Sequence, residues 1–313
     1  MKVVALAGGV GGAKLAAGLQ DALPSGDLTV VVNTADDFDL WGLHICPDLD
    51  TVMYTLAGVA NPETGWGMEA ETFEALDMLA RYGEDPWFRL GDRDLATHIL
   101  RTSRLRSGQN LTEVTGALSD ALGIPSHILP MCDEPVSTVL DTPSGRLEFQ
   151  EYFVRRGQRD EVRGITLRGI EEARPSDAVL DALMGAEAIV FCPSNPVVSI
   201  GPILAVPGMR GAIATSPAPK VAVSPIIGGR ALKGPADRML ASLGHDVSAT
   251  GVARMYRDLV GGMVIDHTDE AEREDTSALG MDVLVTDAVM RDGPDRERLA
   301  REVLGFVGSL VAG

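Results

Sequence analysis

Four glycines in five positions, Gly8, Gly9, Gly11 and Gly12, separate the apolar run Val3-Val4-Ala5-Leu6-Ala7 from an amphipathic segment opening at Ala13-Lys14-Leu15. Backbone bare of side chains at a helix start leaves N–H groups free to surround an anion, and the helix dipole favours negative charge there. The pattern predicts a phosphate site drawn from Gly9, Gly11, Gly12 and Lys14. It is not a P-loop, because Ala13 separates Gly12 from Lys14 and Leu15 stands where the magnesium-binding hydroxyl belongs. Nor is it the dinucleotide fingerprint: Lys14 occupies the place of the third Gly or Ala, and the second apolar run ends in Asn33 rather than an acidic ribose ligand.

A second group is acidic. Asp36, Asp37, Asp39, Asp48 and Asp50 place five carboxylates within fifteen residues. Such a cluster repels itself unless cations intervene. Oxygen ligands of this kind suit magnesium, which shares its shell with water and substrate phosphate, so Asp36, Asp37 and Asp50 are the expected metal ligands. Asp48 or Asp50 could instead cap the helix carrying Val52, Met53 and Leu56. Two more polar loops follow apolar runs, Cys192-Pro193-Ser194-Asn195 and Ser224-Pro225 through Lys233-Gly234-Pro235. Asn195, Ser224 and Lys233 join the nucleotide and phosphate candidates, and the local cations are Lys14, Arg89, Arg93, Arg230 and Lys233. No Gly-x-Ser-x-Gly elbow is present, and His44, two residues from Cys46 on an apolar stretch, reads as a packed or capping histidine. The chemistry implied is phosphoryl transfer by positioning and charge neutralisation, without a protein nucleophile.

These loops must sit at strand ends. Residues 2–7 and 28–33 read as buried strands joined by a helix over about 12–22, a βαβ unit. Ala188–Phe191, Val221–Val223, Met263–Ile265 and Val283–Val285 read as further aliphatic strands. The expected fold is α/β, a Rossmann-like, doubly wound, mostly parallel sheet in a single elaborated domain over 1–313. The middle departs from that rhythm. From about 69 to 123 helical stripes are expected from Phe73, Leu76, Leu79 and Ala80, then Leu95, Ile99 and Leu100, then Val114, Leu118 and Leu122. Residues 136–142 and 147–154 read as a β-hairpin, so 69–175 is expected to be an inserted helical and β-hairpin cap. A last amphipathic helix spans about 294–310.

Composition bounds the partners. The 313 residues are 45% hydrophobic and 4% aromatic with a net charge of −18, which argues against a nucleic-acid surface. No apolar run reaches the roughly 20 residues of a membrane span, and Met1-Lys2 leads straight into a strand, so a cytoplasmic protein with no membrane partner is expected. Cys46, Cys132 and Cys192 form no CxxC pair and read as buried thiols.

Taken in order, Gly8-Gly9-Val10-Gly11-Gly12-Ala13-Lys14-Leu15, Asn33-Thr34-Ala35-Asp36-Asp37, Pro47-Asp48-Leu49-Asp50-Thr51-Val52-Met53-Tyr54-Thr55, Leu90-Gly91-Asp92-Arg93-Asp94, Pro193-Ser194-Asn195-Pro196, Ser199-Ile200-Gly201-Pro202-Ile203-Leu204 and Ser224-Pro225-Ile226-Ile227-Gly228 resemble the 2-phospho-L-lactate transferase family of the CofD type. The likeness runs over nearly the whole chain. It implies a magnesium-dependent phosphotransferase of coenzyme F420 biosynthesis. Such an enzyme moves a phosphorylated three-carbon acid from its guanosine diphosphate conjugate to the terminal ribityl hydroxyl of the deazaflavin Fo, and GMP leaves. The resemblance places Fo on Asp50 and Arg89, lays the guanine nucleotide across the Gly8–Lys14, Asn195 and Ser224–Lys233 loops, and suggests a homodimer. Asp50 then serves magnesium or orients the attacking hydroxyl, with Lys14, Arg89 and Lys233 as phosphate partners. Trp41, Tyr54, Trp66, Trp87 and Phe88 are available to form a flat slot for a tricyclic ring. A related gluconeogenesis-factor branch shares the glycine and Asn-Thr-x-Asp-Asp stretches but binds sugar nucleotides as a regulator. Asp50 and Arg89 favour the transferase, and the missing acidic residue after Val32 weighs against an NAD-dependent oxidoreductase.

Overall fold

The computed structural model describes residues 1–312. Its first strand, β1 (Val3–Ala7), is buried at every position, and its side chains alternate between two cores. Val3, Ala5 and Ala7 join one cluster while Val4 and Leu6 join the other. Burial on both faces is why the strand reads as an unbroken apolar run. Helix α1 (Gly9–Ala22) then returns the chain to β2 (Leu28–Val32), which pairs with β1 in parallel register, Val3 opposite Leu28.

The main sheet has seven strands, in the order Asp282–Thr286, Gly262–Asp266, Lys220–Val223, Ala188–Phe191, β1, β2, His127–Pro130. Every pairing in it is parallel. The chain winds outward from β1 through β2 to His127–Pro130, then crosses back to the other side of β1 and winds out the opposite way. The strand order therefore reverses between β1 and Ala188–Phe191, and beyond the carboxyl ends of those two strands the diverging loops leave a crevice. This is the doubly wound α/β sheet expected.

Several boundaries differ from expectation. Helix α1 begins at Gly9 rather than near residue 12, so most of the glycine stretch is the helix's first turn and not a loop. The segment 69–175 is not all peripheral, since His127–Pro130 is an edge strand of the main sheet beside β2. The expected hairpin is a three-stranded sheet: Ser137–Thr142 pairs with Gly145–Glu148 on one side and Gly164–Arg168 on the other. Its second arm stops at Glu148, and Glu151–Arg155 is a helical turn of π type. The last helix, Gly293–Ala312, packs on the β1 side of the core through Leu299, Ala300, Val303 and Val307.

Two further helices, Pro47–Leu56 and Asp92–Arg106, border the crevice, with Glu74–Arg81 beside the second. Helix α2 (Pro47–Leu56) follows a short hairpin of Phe38–Leu40 and Leu43–Ile45, and carries Asp48 and Asp50 in its first turn. Helix α3 (Glu74–Arg81) buries only Leu76. Helix α4 (Asp92–Arg106) reverses the expected stripe: it buries Asp94, Thr97, His98, Arg101 and Thr102, while Ile99 and Leu100 are 56% and 41% exposed. The three cysteines are free and buried. Among the described residues no single helix is long and apolar enough to cross a membrane.

Candidate functional site

The crevice is a cavity of about 620 Å³. It gathers Gly9, Gly11, Lys14, Asp36, Asp50, Arg89, Asn195, Ser224 and Lys233, residues spread over most of the chain. Two expected members lie elsewhere. Gly12 is buried behind the turn, where a Cβ would collide with Ser194 Oγ. Asp37 lines a neighbouring cavity of about 570 Å³ with Phe38 and His44, although its charge still acts on Asp36 and Asp48.

On the basic side, the glycines let two loops touch. Gly8 N donates to Ser194 Oγ at 3.0 Å, and a Cβ on Gly11 would run into the Pro193 carbonyl oxygen. Gly9 takes φ +62°, a left-handed conformation that favours glycine. Close packing at the strand-order reversal thus accounts for part of the glycine density read as anion binding. Lys14 Nζ donates to Met290 O at 2.7 Å and Lys233 Nζ to Thr64 O at 3.1 Å. Burial lowers the Lys14 pKa, and the Arg296 and Lys233 charges lower it further. Both ammonium groups are held on carbonyls beside the glycine turn. Asn195 and Ser224 shape their loops with their side chains: Asn195 Oδ1 accepts from Val197 N and Val198 N, and Ser224 Oγ bonds Ile226 N and O.

On the acidic side, the single amide nitrogen Asn33 Nδ2 donates to Asp48 Oδ2 at 2.9 Å, to Asp36 Oδ2 at 3.2 Å and to Val198 O at 3.2 Å. Two hydrogens cannot satisfy three acceptors well. Asp36 Oδ1 is buried without a well-formed hydrogen bond, and the Thr138 hydroxyl beside the carboxyl is likewise unpaired. Burial, followed by the Asp48 charge, pushes the Asp36 carboxyl well up, and burial raises Asp48 to about 6 against its bond from Asn33. Neither Asp48 nor Asp50 caps α2 with its side chain; Cys46 is the N-cap, followed by Pro47 at the first helical position. An all-oxygen pair that repels itself and keeps an orphaned acceptor is the donor set a hard divalent cation fits. Asp48 lies beside Asp36, while the other expected ligands stand in separate sets, Asp37 with His44 and Cys46 and Asp50 with Asp94 and His98, each close enough together to share an ion.

Asp50 is differently engaged. Arg101, 1% exposed, lays two guanidinium nitrogens on its carboxylate, Nη1 to Oδ2 at 3.0 Å and Nη2 to Oδ1. Burial works against the Arg101 charge, yet Asp50 outweighs it and the guanidinium stays firmly protonated. His98 Nδ1 lies 3.3 Å from Arg101 Nη1 and accepts from it, since guanidinium only donates; Nε2 stands 3.2 Å from Asp94 Oδ1, a close approach without hydrogen-bond alignment. Tyr54 OH donates to the same Asp94 oxygen at 2.6 Å. Burial opposes ionisation of Asp94, but His98 and Tyr54 hold its carboxyl below the usual range. Sequence reasoning missed this network, although Asp94, His98 and Arg101 stand at i, i+4 and i+7, one face of a helix.

Aromatic rings wall the remaining side. Phe38, Trp87 and Phe88 cluster with centroids 4.9 to 5.9 Å apart, and Phe149 and Phe153 stack at 5.4 Å. Trp66, Trp87, Phe88, Phe149 and Phe153 all line the cavity. Trp41 does not; its Nε1 donates to Glu84 at 3.0 Å. Tyr54 lines the cavity with its hydroxyl turned to Asp94. Arg89 is exposed at the rim, its guanidinium 4.2 Å over the Phe73 ring.

A parallel sheet whose order reversal opens on paired lysines, paired carboxylates and a row of rings defines an α/β protein with one composite cavity at its switch point. Comparison narrows the class. The family model of 2-phospho-L-lactate transferase CofD matches residues 3–298, and the chain belongs to that transferase family. It is 46% identical over 310 residues to a phosphoenolpyruvate transferase of Streptomyces griseus, covering 97% of this chain and 98% of that protein. It is 40% identical over 302 residues to the 2-phospho-L-lactate transferase of Methanosarcina mazei, covering 96% and 99%. Among solved structures, a member of the UPF0052 family from Bacillus halodurans superposes with a TM-score of 0.67 at 15% identity, over 97% of this chain and 98% of that one, a likeness of fold.

Proposed function

We propose that this transferase moves a phosphorylated three-carbon acid from its guanosine diphosphate conjugate to the terminal hydroxyl of the deazaflavin Fo, with release of GMP, as a step in making coenzyme F420. The observation that carries the reading is the placing of Lys14 and Lys233, the Asp36–Asp48 pair and the aromatic wall around one cavity at the strand-order reversal. The acid is phosphoenolpyruvate in this reading, since the phosphoenolpyruvate transferase of Streptomyces griseus is the more similar of the two relatives compared.

Asp36 and Asp48 would hold magnesium, because they are buried, self-repelling and short of donors. When bound, the ion neutralises charge on the diphosphate and on the transferred phosphoryl group. The protein's own groups supply the rest. Lys14 and Lys233 bring positive charge to the phosphates from carbonyl-held positions that need no reorganisation. The rings flank the deazaflavin, with Arg89 at the rim on its polar edge. Asp50 accepts the hydrogen bond of the attacking hydroxyl; as the new phosphorus–oxygen bond forms, the phosphoanhydride bond to GMP breaks, GMP leaves as the phosphate monoester, and the hydroxyl proton passes through Asp50 to solvent.

Mass spectrometry of the product formed from Fo with each guanylylated acid in turn tests this. The expected result is an Fo adduct heavier by the phosphoenolpyruvyl group, formed with magnesium and abolished by chelator. Absence of any adduct from all three acids (phosphoenolpyruvate, phospholactate and phosphoglycerate) would overturn it. The homodimer implied by the family is checked by sedimentation, as a species of twice the 33.1 kDa protomer.

A further inference from the structure

Helix α4 turns its charged face inward at a place where ordinary packing would put Ile99 and Leu100. Burying Arg101, His98 and Asp94 removes three ionisable groups from water, which is tolerated only where each finds a partner. Each has one, although Arg101 Nε and His98 Nε2 make no hydrogen bond, and the chain of contacts ends on Asp50: Tyr54 OH donates to Asp94, His98 Nε2 stands 3.2 Å from the same carboxylate, Arg101 meets His98, and Arg101 grips both oxygens of Asp50. Only Asp50, Tyr54, Asp94 and His98 reach the cavity; Arg101 stands behind them.

We propose that Arg101 is a positioning residue for the transfer, acting through Asp50; the inference rests on the function proposed above. A planar guanidinium on both carboxylate oxygens fixes the rotation of the Asp50 side chain, and the His98–Asp94–Tyr54 relay fixes the guanidinium in turn. It also supplies the positive charge that a metal ion would otherwise provide at Asp50. The carboxylates therefore divide their tasks: Asp36 and Asp48 face the cation, while Asp50, already compensated, is held as an acceptor for the substrate hydroxyl. Lysine in place of Arg101 keeps the charge and loses the two-point grip.

The test is Arg101→Lys, alone and combined with Asp50→Asn. Expected is a fall in kcat of at least 30-fold with KM for the guanylylated acid within about 3-fold, because the nucleotide loops do not touch Arg101. In the Asp50→Asn background the same change should cost less than about 3-fold, since Arg101 acts only through the group already removed. Independent losses that multiply, or a kcat close to wild type in Arg101→Lys, would overturn the proposal. A crystal structure of Arg101→Lys gives a reading that needs no substrate: Asp50 should rotate or split between rotamers, and an unmoved, singly ordered Asp50 would equally overturn it. If the wild-type protein transfers nothing to Fo, the function proposed above falls, and the Asp50 rotamer still decides the role of Arg101. Should Arg101→Lys fold poorly, Tyr54→Phe, which loosens the relay without unpairing a charge, takes its place; an intermediate fall in kcat supports the relay, and unchanged kcat with an unmoved Asp50 refutes it.

Discussion

Helix α4 and the C-terminal helix Gly293–Ala312 are both long, both rich in arginine, and opposite in what they bury. The C-terminal helix hides Leu299, Ala300, Val303 and Val307 and sets its charges outside in i, i+4 pairs, Arg298 with Glu302 at 3.1 Å and Arg301 with Glu297 at 2.6 Å. Helix α4 hides arginine, histidine and aspartate and shows isoleucine and leucine to solvent. The first lies against α1 in the aliphatic core, where apolar area removed from water stabilises by roughly 25 cal/mol per Å². The second lies over Asp50 and Tyr54, where burial costs free energy that paired charges offset only in part. One helix serves the fold. The other gives up its amphipathic order to position a carboxylate, and such local violations mark function.

The sharpest test of that contrast is Asp50→Asn. Loss of the hydroxyl acceptor should lower kcat by about 10²- to 10⁴-fold, and the amide leaves Arg101 half unpaired, so stability should fall by roughly 3 kcal/mol. Asp36→Asn should also abolish turnover yet stabilise the metal-free protein, because it removes a carboxyl whose ionisation burial opposes and the Asp48 charge opposes further. Opposite stability shifts from two isosteric changes, read in denaturant titrations beside steady-state rates, separate a satisfied carboxylate from a frustrated one. Equal signs would remove the distinction.

Leu299→Ala probes the other helix. A fully buried leucine truncated to alanine costs about 2–5 kcal/mol. Activity per folded molecule should stay at the wild-type level. A fall in kcat beyond that of the folded fraction would mean that the C-terminal helix also bears on the site.

A smaller effect concerns pH. Burial raises the Asp48 pKa from its ordinary 3.8 to about 6, so between those values the folded protein holds a proton that the unfolded chain has lost. Stability from this group is full below 3.8 and drains as pH rises through 6, a loss of about 3 kcal/mol in the metal-free protein. Melting temperature should therefore drop between pH 4 and 7 in chelator. Asp48→Asn should flatten that drop, and magnesium should reverse it at pH 7. A melting temperature that rises over the same interval in chelator would contradict the raised pKa of the buried Asp48 carboxyl.

What could be read in the sequence follows from how each element is held. Strands buried on both faces, such as Val3–Ala7 and Ala188–Phe191, leave unbroken aliphatic runs and were legible. His127–Pro130 was not, because an edge strand begun by an exposed histidine and closed by proline has no such run. Helix α1 starts earlier than its glycines suggest, since helix propensity disfavours glycine while the contacts with Pro193 and Ser194 require it. Site residues just past strand ends, Lys14, Asp36, Asp50 and Asn195, announced themselves by position. Arg101 did not, because residues 94–101 carry two competing periodicities, Leu95 and Ile99 against Asp94, His98 and Arg101, and burial rules select the apolar phase. Phe149 and Phe153 were missed because a turn of helix stands where a strand was expected.

The least effect should come from Ile99→Ser, and its smallness is the point. Were α4 an ordinary core-facing helix, exchanging this isoleucine for serine would cost at least as much as a buried truncation, about 2–5 kcal/mol. At 56% exposure the side chain contributes little, and the change should move stability by no more than about 0.5 kcal/mol. Thr97→Val on the inward face is the companion, a near-isosteric swap that places a methyl where the helix turns polar groups toward the site. Denaturant titration of the two proteins, at one dilute concentration, ranks the faces directly. A larger loss in Ile99→Ser than in Thr97→Val would turn the helix over, returning Ile99 to a core and taking Arg101 away from Asp50.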